Sequence, residues 1–227
     1  MFSHIQSKID HTCLNPAATP EDICKLIDDA ARMGAYSVCV APYYVPYARY
    51  VMHTQHPDTE LKLCAVVGFP HGNTMPQVKI FEAEEVLRHG ANEVDMVLNR
   101  SGIATRNDDL LMLEINGLAD VCKKYHATLK VIVETSDLTE DEKVYAAQIV
   151  RASKADFIKT STGFGKGGAT VEDVALLKAN VGDKLVKASG GIRTAQEAQA
   201  MIDAGADRIG ASKVLADIER IQGEQER

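Results

Sequence analysis

The sequence lacks the features that mark membrane proteins and nucleic-acid-binding proteins. None of its apolar runs approaches the roughly 20 residues that a membrane-spanning helix needs. Its 25 lysines and arginines are outnumbered by 32 aspartates and glutamates, which gives a net charge of −7. Because nucleic acids and anionic membranes are bound by clustered basic residues, we expect neither as a partner. A small anionic substrate in a locally positive pocket is compatible with this charge.

The sequence also lacks the residue spacings of disulfide frameworks and metal sites. Its five cysteines are widely separated and never form C-x-x-C, so neither disulfides nor a zinc site are predicted. Its seven histidines form no H-x-H or H-E-x-x-H pattern, so no metal is expected. Residues 1–8 (MFSHIQSK) have neither the cationic nor the apolar region of a signal peptide. We therefore expect a cytoplasmic protein.

The sequence does have a regular alternation of two kinds of segment. Short runs rich in β-branched residues, typical of buried strands, alternate with longer amphipathic runs typical of helices. The predicted strands occupy residues 9–14, 37–41, 61–69, 93–99, 129–134, 156–160, 185–188 and 208–211. No linker-like segment interrupts the series, so residues 1–227 are predicted to form a single domain. The polar end, residues 223–227, is expected to be frayed.

Local signals indicate where the helices begin and end. Thr19 precedes a proline, while Thr139 and Thr194 each open a T-x-x-E capping box. Three helical stretches end at a glycine, the residue that most easily adopts the left-handed conformation at a helix end. These glycines are Gly34, Gly90 and Gly205.

Eight strands alternating with helices predict parallel pairing, because each connection has to cross back over the sheet. Both a closed barrel and an open doubly wound sheet fit this alternation. Eight is the strand count of the closed barrel, and no glycine-rich dinucleotide motif follows the first strand. The predicted fold is therefore a TIM (β/α)8 barrel of the α/β class.

Two lysines interrupt neighbouring predicted strands, Lys159 in DFIKT and Lys187 in LVKA. One such lysine could simply extend to solvent. Two of them, each before a loop rich in glycine or serine, are hard to explain by packing. A free lysine is almost wholly protonated at pH 7, but a nearby ammonium group and partial burial lower a lysine pKa and make the amine nucleophilic. The spacing does not indicate which lysine attacks.

Two aspartates also lie in predicted strands. Asp95 is flanked by Val94 and Met96, where an unpaired carboxylate would be costly, so a lysine is its expected partner. That partner fits both a structural ion pair and a proton relay. Asp10, in the first strand, is predicted either to contact substrate or to cap backbone.

Small residues follow the last two predicted strands, as SGG at 189–191 and GAS at 210–212. In a TIM barrel these two loops often bind phosphate through backbone N–H groups, and we expect a phosphate site here. Residues 162–165 (TGFG) are expected to close the same pocket, and His71 to shape it. Cys39 is expected to lie in the core. The tyrosines of residues 36–50 are expected to pack against neighbouring side chains or to form an oligomer contact.

Taken together, these segments resemble the deoxyribose-phosphate aldolases. The resemblance runs through nearly the whole chain, in DHT at 10–12, VGFPHG at 67–72, EVDMV at 93–97, FIKTSTGF at 157–164, KASGGIR at 187–193 and IGAS at 209–212. It implies a class I aldolase that reversibly cleaves 2-deoxy-D-ribose 5-phosphate, a small phosphorylated sugar, to acetaldehyde and D-glyceraldehyde 3-phosphate. No metal or cofactor is implied. Barrels of this kind often form dimers, so a homodimer or higher homo-oligomer is expected.

The resemblance also implies roles for individual residues. Lys159 would form the Schiff base, Lys187 would be its cationic neighbour, and Asp95 would relay protons. Phosphate contacts are implied for Gly190, Gly191, Gly210 and Ser212. Further substrate contacts are expected from Asp10, Thr160 and Gly163.

The chain departs from the family pattern at two positions. Lys213 stands where some relatives have serine, and Phe164 stands where others have lysine. We expect both to influence phosphate affinity and substrate range without changing the reaction class. Two other functions stay open, namely another phosphosugar lyase or isomerase of the same fold, and a barrel that senses sugar phosphates without turnover. The intact lysine pair disfavours the sensor.

Overall fold

A computed structural model describes residues 2–225 of the chain. In this range, eight parallel strands close into a barrel. The strands are β1 (Ile9–Cys13), β2 (Ser37–Val40), β3 (Lys62–Val67), β4 (Glu93–Val97), β5 (Thr128–Ile132), β6 (Phe157–Lys159), β7 (Leu185–Ser189) and β8 (Arg208–Ala211). Each strand pairs with the next, and β8 pairs with β1. The prediction of a TIM barrel is confirmed, and the open sheet is excluded.

α-Helices form the outer layer of the barrel. They are α1 (Ser3–Gln6), α2 (Pro20–Met33), α3 (Val45–Gln55), α4 (Pro76–Arg88), α5 (Arg100–Ala104), α6 (Asp108–Lys124), α7 (Glu140–Ala152), α8 (Val171–Asn180), α9 (Ala195–Asp203) and α10 (Val214–Gln225). Single-turn 3₁₀ helices lie at Pro42–Tyr44 and Thr135–Asp137. No helix in the described range is long and apolar enough to cross a membrane.

The predicted helix starts are confirmed by their hydrogen bonds. Thr19, Thr139 and Thr194 each accept a bond from the backbone N–H three residues on, and the carboxylate of that residue accepts a bond from the backbone N–H of the threonine. The expectation of a frayed end is wrong for residues 223–225, which continue α10. Glutamate and glutamine are good helix formers, and Ile218 anchors this helix in the core. Residues 226 and 227 lie outside the described range.

The apolar core lies between the barrel and the helices, because the outward-facing side chains of each strand pack against the helical layer. The inside of a TIM barrel is normally filled by branched apolar side chains. Here charged side chains occupy much of it, and they come from β1, β4, β5, β6, β7 and β8. A small apolar cluster of Cys39, Cys64 and Val66, with Leu14 and Phe69 against it, lies beside these charged side chains, because Cys64 contacts Asp95.

Candidate active site

The structure brings Lys159, Lys187 and Asp95 together inside the barrel. Lys159 is the last residue of β6, and its Cα pairs in register with that of Lys187 in β7. The Nζ atoms of both lysines donate to the same oxygen of Asp95, Oδ2, each at 2.7 Å. Two amines that share one carboxylate oxygen are close enough for each to influence the charge of the other.

The two lysines differ in their partners and in their access to solvent. Lys187 is fully buried and forms a second ion pair, with Asp10. Burial alone would lower the pKa of Lys187, but the Asp10 and Asp95 carboxylates raise it above its usual value. Lys159 has one carboxylate partner and lines a pocket at the mouth of the barrel. The geometry therefore separates a permanently cationic lysine from one that a ligand can reach.

Asp95 is fully buried and receives four donors. Oδ2 accepts from the two lysines, while Oδ1 accepts from Lys130 Nζ at 3.0 Å and from Cys64 Sγ at 3.1 Å. Burial alone would raise the pKa of this carboxyl, but Lys130, Lys159 and Lys187 together hold it well below its usual value. Asp95 is therefore a carboxylate at neutral pH, in direct contact with the amine of Lys159.

A second tier of charged residues, which the sequence analysis missed, lies behind Asp95. Lys130 Nζ donates to Glu93 Oε2 at 2.7 Å, and Arg208 donates to the same oxygen at 3.0 Å. Arg208 also binds Asp10, which accepts from Ser37 Oγ at 2.7 Å. The pattern that singled out Lys159 is an ionisable residue within an apolar strand. Glu93, Lys130 and Arg208 have the same pattern.

A pocket of about 360 Å³ opens beside Lys159. Apart from this lysine, it is lined by Thr12, Cys13, Leu14, Asn15, Thr162, Gly163, Phe164, Ser189, Gly190, Gly191, Ile192, Gly210, Ala211 and Ser212. Five of the expected substrate-binding residues are in this lining. They are Gly163, Gly190, Gly191, Gly210 and Ser212.

Asp10 and Thr160 lie outside the lining. Asp10 is fully buried behind Lys187. Thr160 Oγ1 donates to the carbonyl of Ser189 and accepts from the N–H of Ser189, which ties the end of β6 to the end of β7. Both residues are placed to position the lysines, and a direct substrate contact from either stays a prediction.

Glycine is required by space at two positions of the pocket. A Cβ at Gly210 would lie 2.8 Å from the Cβ of Ser189 and 3.0 Å from the Cε of Lys187. Gly190 has φ of 86°, and a Cβ there would lie 3.1 Å from the Cα of Gly168. Glycine at 210 therefore lets β8 lie close to β7, and glycine at 190 lets the loop after β7 lie close to the loop between β6 and α8.

The remaining residues singled out from the sequence lie around this pocket. Phe164 is half exposed and packs edge-on against Phe69, with ring centroids 5.3 Å apart. Lys213 is exposed and is not part of the lining. His71 borders a neighbouring cleft that shares Phe164.

Cys39, Cys64 and Asp95 are the one group in the described part of the chain whose donor atoms approach as metal ligands do, within 4.8 Å of one another. Asp95 is already bound by three lysines, as described above. Their positive charges oppose a metal cation at this position.

Comparisons with known proteins identify the family of the chain. Residues 5–220 match the sequence profile of the DeoC/LacD family aldolases. The chain belongs to the DeoC/LacD aldolase family. The deoxyribose-phosphate aldolase of Thermococcus gammatolerans is 47% identical over 216 residues, which is 95% of both chains. That of Enterococcus faecalis is 46% identical over 217 residues, covering 95% of this chain and 96% of the relative.

Solved structures of aldolases have the same barrel. An aldolase designated QR15 superposes with a TM-score of 0.90 at 38% identity, covering 98% of this chain and 97% of that one. A tetrameric deoxyribose phosphate aldolase from Aeropyrum pernix superposes with a TM-score of 0.88 at 33% identity, covering 97% and 93%. These aldolases of known structure therefore share the barrel fold of this chain.

Proposed function

We propose that this protein is a class I aldolase that cleaves 2-deoxy-D-ribose 5-phosphate to acetaldehyde and D-glyceraldehyde 3-phosphate, with Lys159 as the Schiff-base lysine. The observation that carries the assignment is the contrast between the two lysines. Lys159 is open to the pocket, whereas Lys187 is enclosed and paired with two carboxylates. The sequence left the choice between them open, and the resemblance alone had pointed to Lys159.

The charge balance of the barrel interior supports the same choice. Among the described residues of this cluster there are three carboxylates, Asp10, Glu93 and Asp95. Lys130, Lys187 and Arg208 supply three positive charges that contact them. Lys159 is the basic residue left over, so it can act as an uncharged amine without leaving a carboxylate unbalanced. An uncharged amine is the form that attacks a carbonyl.

The chemistry follows from these positions. The Lys159 amine adds to C1 of the open-chain sugar, and loss of water gives an iminium ion. The electron pair of the C2–C3 bond then moves towards the iminium, the C3 hydroxyl loses its proton, and glyceraldehyde 3-phosphate leaves. Protonation of the remaining enamine at C2 and hydrolysis release acetaldehyde. Asp95 contacts the reacting nitrogen and can accept and return protons during the addition and dehydration steps.

The phosphate end of the substrate is assigned to the loops after β7 and β8. Gly190, Gly191, Gly210 and Ser212 line the same pocket as Lys159, so one ligand can contact both the amine and the two loops. Backbone N–H groups held by tightly packed glycines suit an anion, because they supply donors without the loss of side-chain entropy.

We further propose a homo-oligomer in the cytoplasm. Tyr43, Tyr50, Met75 and Phe81 are each more than 60% exposed on the outer face, which favours coverage by another copy of the chain. The relative from Aeropyrum pernix is tetrameric. Five cysteines that form no disulfide suit a reducing compartment. Light scattering on the purified protein would give the mass of the assembly.

The proposed function is tested by trapping the imine. Incubation with acetaldehyde and borohydride should leave a reduced two-carbon adduct on Lys159, located by peptide mapping. Lys159→Ala should abolish the adduct, whereas Lys154→Ala, a change of an exposed lysine on the outer surface, should leave it intact. An adduct on Lys187, or no adduct at all, would contradict the assignment. A panel of phosphorylated sugars would then distinguish deoxyribose phosphate from the substrates of other lyases.

A further inference from the structure

We propose that Glu134 is a positioning residue that fixes the loop between β6 and α8 against the pocket. Its effect on catalysis rests on the proposed function, but its effect on the loop does not. Three features of this residue carry the inference, namely its backbone conformation, the partners of its carboxylate and the space around its side chain.

The backbone of Glu134 has a conformation that side chains rarely adopt. The residue follows the end of β5 by two positions and has φ of 59° and ψ of 66°, in the left-handed region. For a residue other than glycine this region costs roughly 1 kcal/mol or more. Glycine would adopt this conformation without that cost. We therefore expect interactions of the glutamate side chain to offset it.

The carboxylate of Glu134 is buried and binds one loop. Only 1% of the residue is exposed, and among the described residues no lysine, arginine or histidine forms an ion pair with it. Oε2 accepts from the Thr162 hydroxyl and, at 3.3 Å, from the Thr162 N–H. Thr162 Oγ1 in turn accepts from the N–H of Phe164 at 3.0 Å. Burying a carboxylate without a cation beside it lowers stability, so stability alone does not explain a glutamate at this position.

The basic groups of the neighbouring cleft have another partner. Arg100 forms an ion pair with Asp137, and Lys166 Nζ lies 3.8 Å from the same carboxylate. Glu134 therefore directs its charge at hydroxyl and backbone donors of the loop, where charge-assisted hydrogen bonds are short and directional.

The loop is shaped to accept this carboxylate. A Cβ at Gly165 would lie 2.9 Å from Cδ of Glu134, so glycine is the residue that lets the chain pass. At the far end of the loop, Ala169 N–H donates to the carbonyls of Ser189 and Gly190. The loop is thus attached to Glu134 at one end and to the phosphate-type loop at the other. Thr162, where the loop is attached to Glu134, and the next two residues, Gly163 and Phe164, line the pocket beside Lys159.

The test compares three substitutions of one residue. Glu134→Ala and Glu134→Gly both remove the carboxylate, but only alanine keeps the unfavourable left-handed conformation. A deficit shared by the two variants therefore belongs to the carboxylate and not to backbone strain. We expect both to raise KM for deoxyribose 5-phosphate about tenfold, with kcat changed less than about threefold. Glu134→Gln keeps an acceptor oxygen and should recover most of the loss.

Asp156→Ala is the matched control. Asp156 also accepts from a backbone N–H, that of Leu129, but it lies just before β6, at the opposite end of the barrel from the pocket. This variant should lose stability without a rise in KM. If Glu134→Ala and Glu134→Gly leave KM unchanged, or if Asp156→Ala raises it equally, the positioning role is refuted.

Amide hydrogen exchange keeps the inference testable if the proposed function fails. Without substrate, exchange of the Thr162 and Phe164 amides should accelerate at least about tenfold in Glu134→Ala and Glu134→Gly, and much less in Glu134→Gln. Unchanged exchange would overturn the proposal whatever the wild-type protein catalyses. If the glutamate variants do not fold, Thr162→Val against Thr162→Ser removes the same contact from the other side, and equal exchange in that pair would overturn it as well.

Discussion

The interior of the barrel and its mouth use polar groups in opposite ways. In the interior, Lys130, Arg208 and three carboxylates bind one another so that each charge has at least one opposite partner. At the mouth, the pocket presents one lysine and the backbones of several glycines, whose partners are left for a ligand to supply. Lys159 lies at the boundary between the two regions, because its amine donates to Asp95 and its side chain lines the pocket.

We therefore expect substitutions in the interior to lower stability, and substitutions in the pocket or directly beside Lys159 to change the chemistry. A buried ion pair contributes little compared with an apolar replacement of both partners, but removing one partner is costly because the other charge stays buried and unpaired. In the pocket, by contrast, a substitution changes contacts that form only with substrate. The following predictions test this division, beginning with the largest effect.

Lys130→Met should destabilise the fold most. The substitution keeps the volume but leaves Glu93 and Asp95 short of a cation, and we expect the free energy of unfolding to fall by about 3–5 kcal/mol. Urea denaturation measures this loss. Lys124→Met is the matched control, because Lys124 pairs with Glu84 at the surface and its replacement should change the midpoint little. Equal midpoints for the two variants would mean that the ion pairs of the interior contribute no more to stability than a pair at the surface.

Lys187→Leu should slow the chemistry at Lys159, because the two amines contact the same oxygen of Asp95. The substitution removes the positive charge of Lys187. A positive charge favours the uncharged, nucleophilic form of an amine beside it, so its loss should make the attack on the carbonyl slower. We expect imine formation with acetaldehyde to slow by about a hundredfold at pH 7. Lys187→Arg, which keeps the charge, should retain more of the rate. A rate of imine formation in Lys187→Leu that matches wild type would refute the electrostatic role.

The sequence predicted the mouth of the barrel better than its interior, for a physical reason. Gly190, Gly210 and Lys159 are adjacent to strand ends, and the general rule that parallel strands present their chemistry at their carboxyl ends was enough to bring them together. Lys130 and Arg208 lie within strands, and their partners come from other strands that only the closed barrel places nearby. Their pairing depends on barrel register, which no local pattern encodes. Glu134 was not predicted because no sequence pattern indicates that a glutamate adopts the left-handed backbone conformation.

Gly190→Ala should weaken phosphate binding. The substitution places a Cβ close to Gly168 and Ser161 and forces a side chain into the left-handed region, so the phosphate-type loop has to shift. We expect KM for deoxyribose 5-phosphate to rise about tenfold, with little change for unphosphorylated deoxyribose. Gly34→Ala is the control for backbone strain without a steric clash. Gly34 also has a positive φ, of 69°, but it has open space around it at the end of α2, so this variant should leave KM unchanged. A similar rise in KM for both substrates of Gly190→Ala would mean that the loop does not hold the phosphate.

Lys213→Ser should have the smallest effect, and it tests where the mouth ends. From the sequence, this lysine in place of serine was expected to influence phosphate affinity. The side chain is exposed and lies outside the pocket lining, so its interaction with a bound phosphate would be screened by solvent and salt. We expect KM for deoxyribose 5-phosphate to change less than about threefold, and any change to vanish as ionic strength rises. A larger, salt-resistant increase would place Lys213 in direct contact with the phosphate and extend the mouth beyond the two glycine loops.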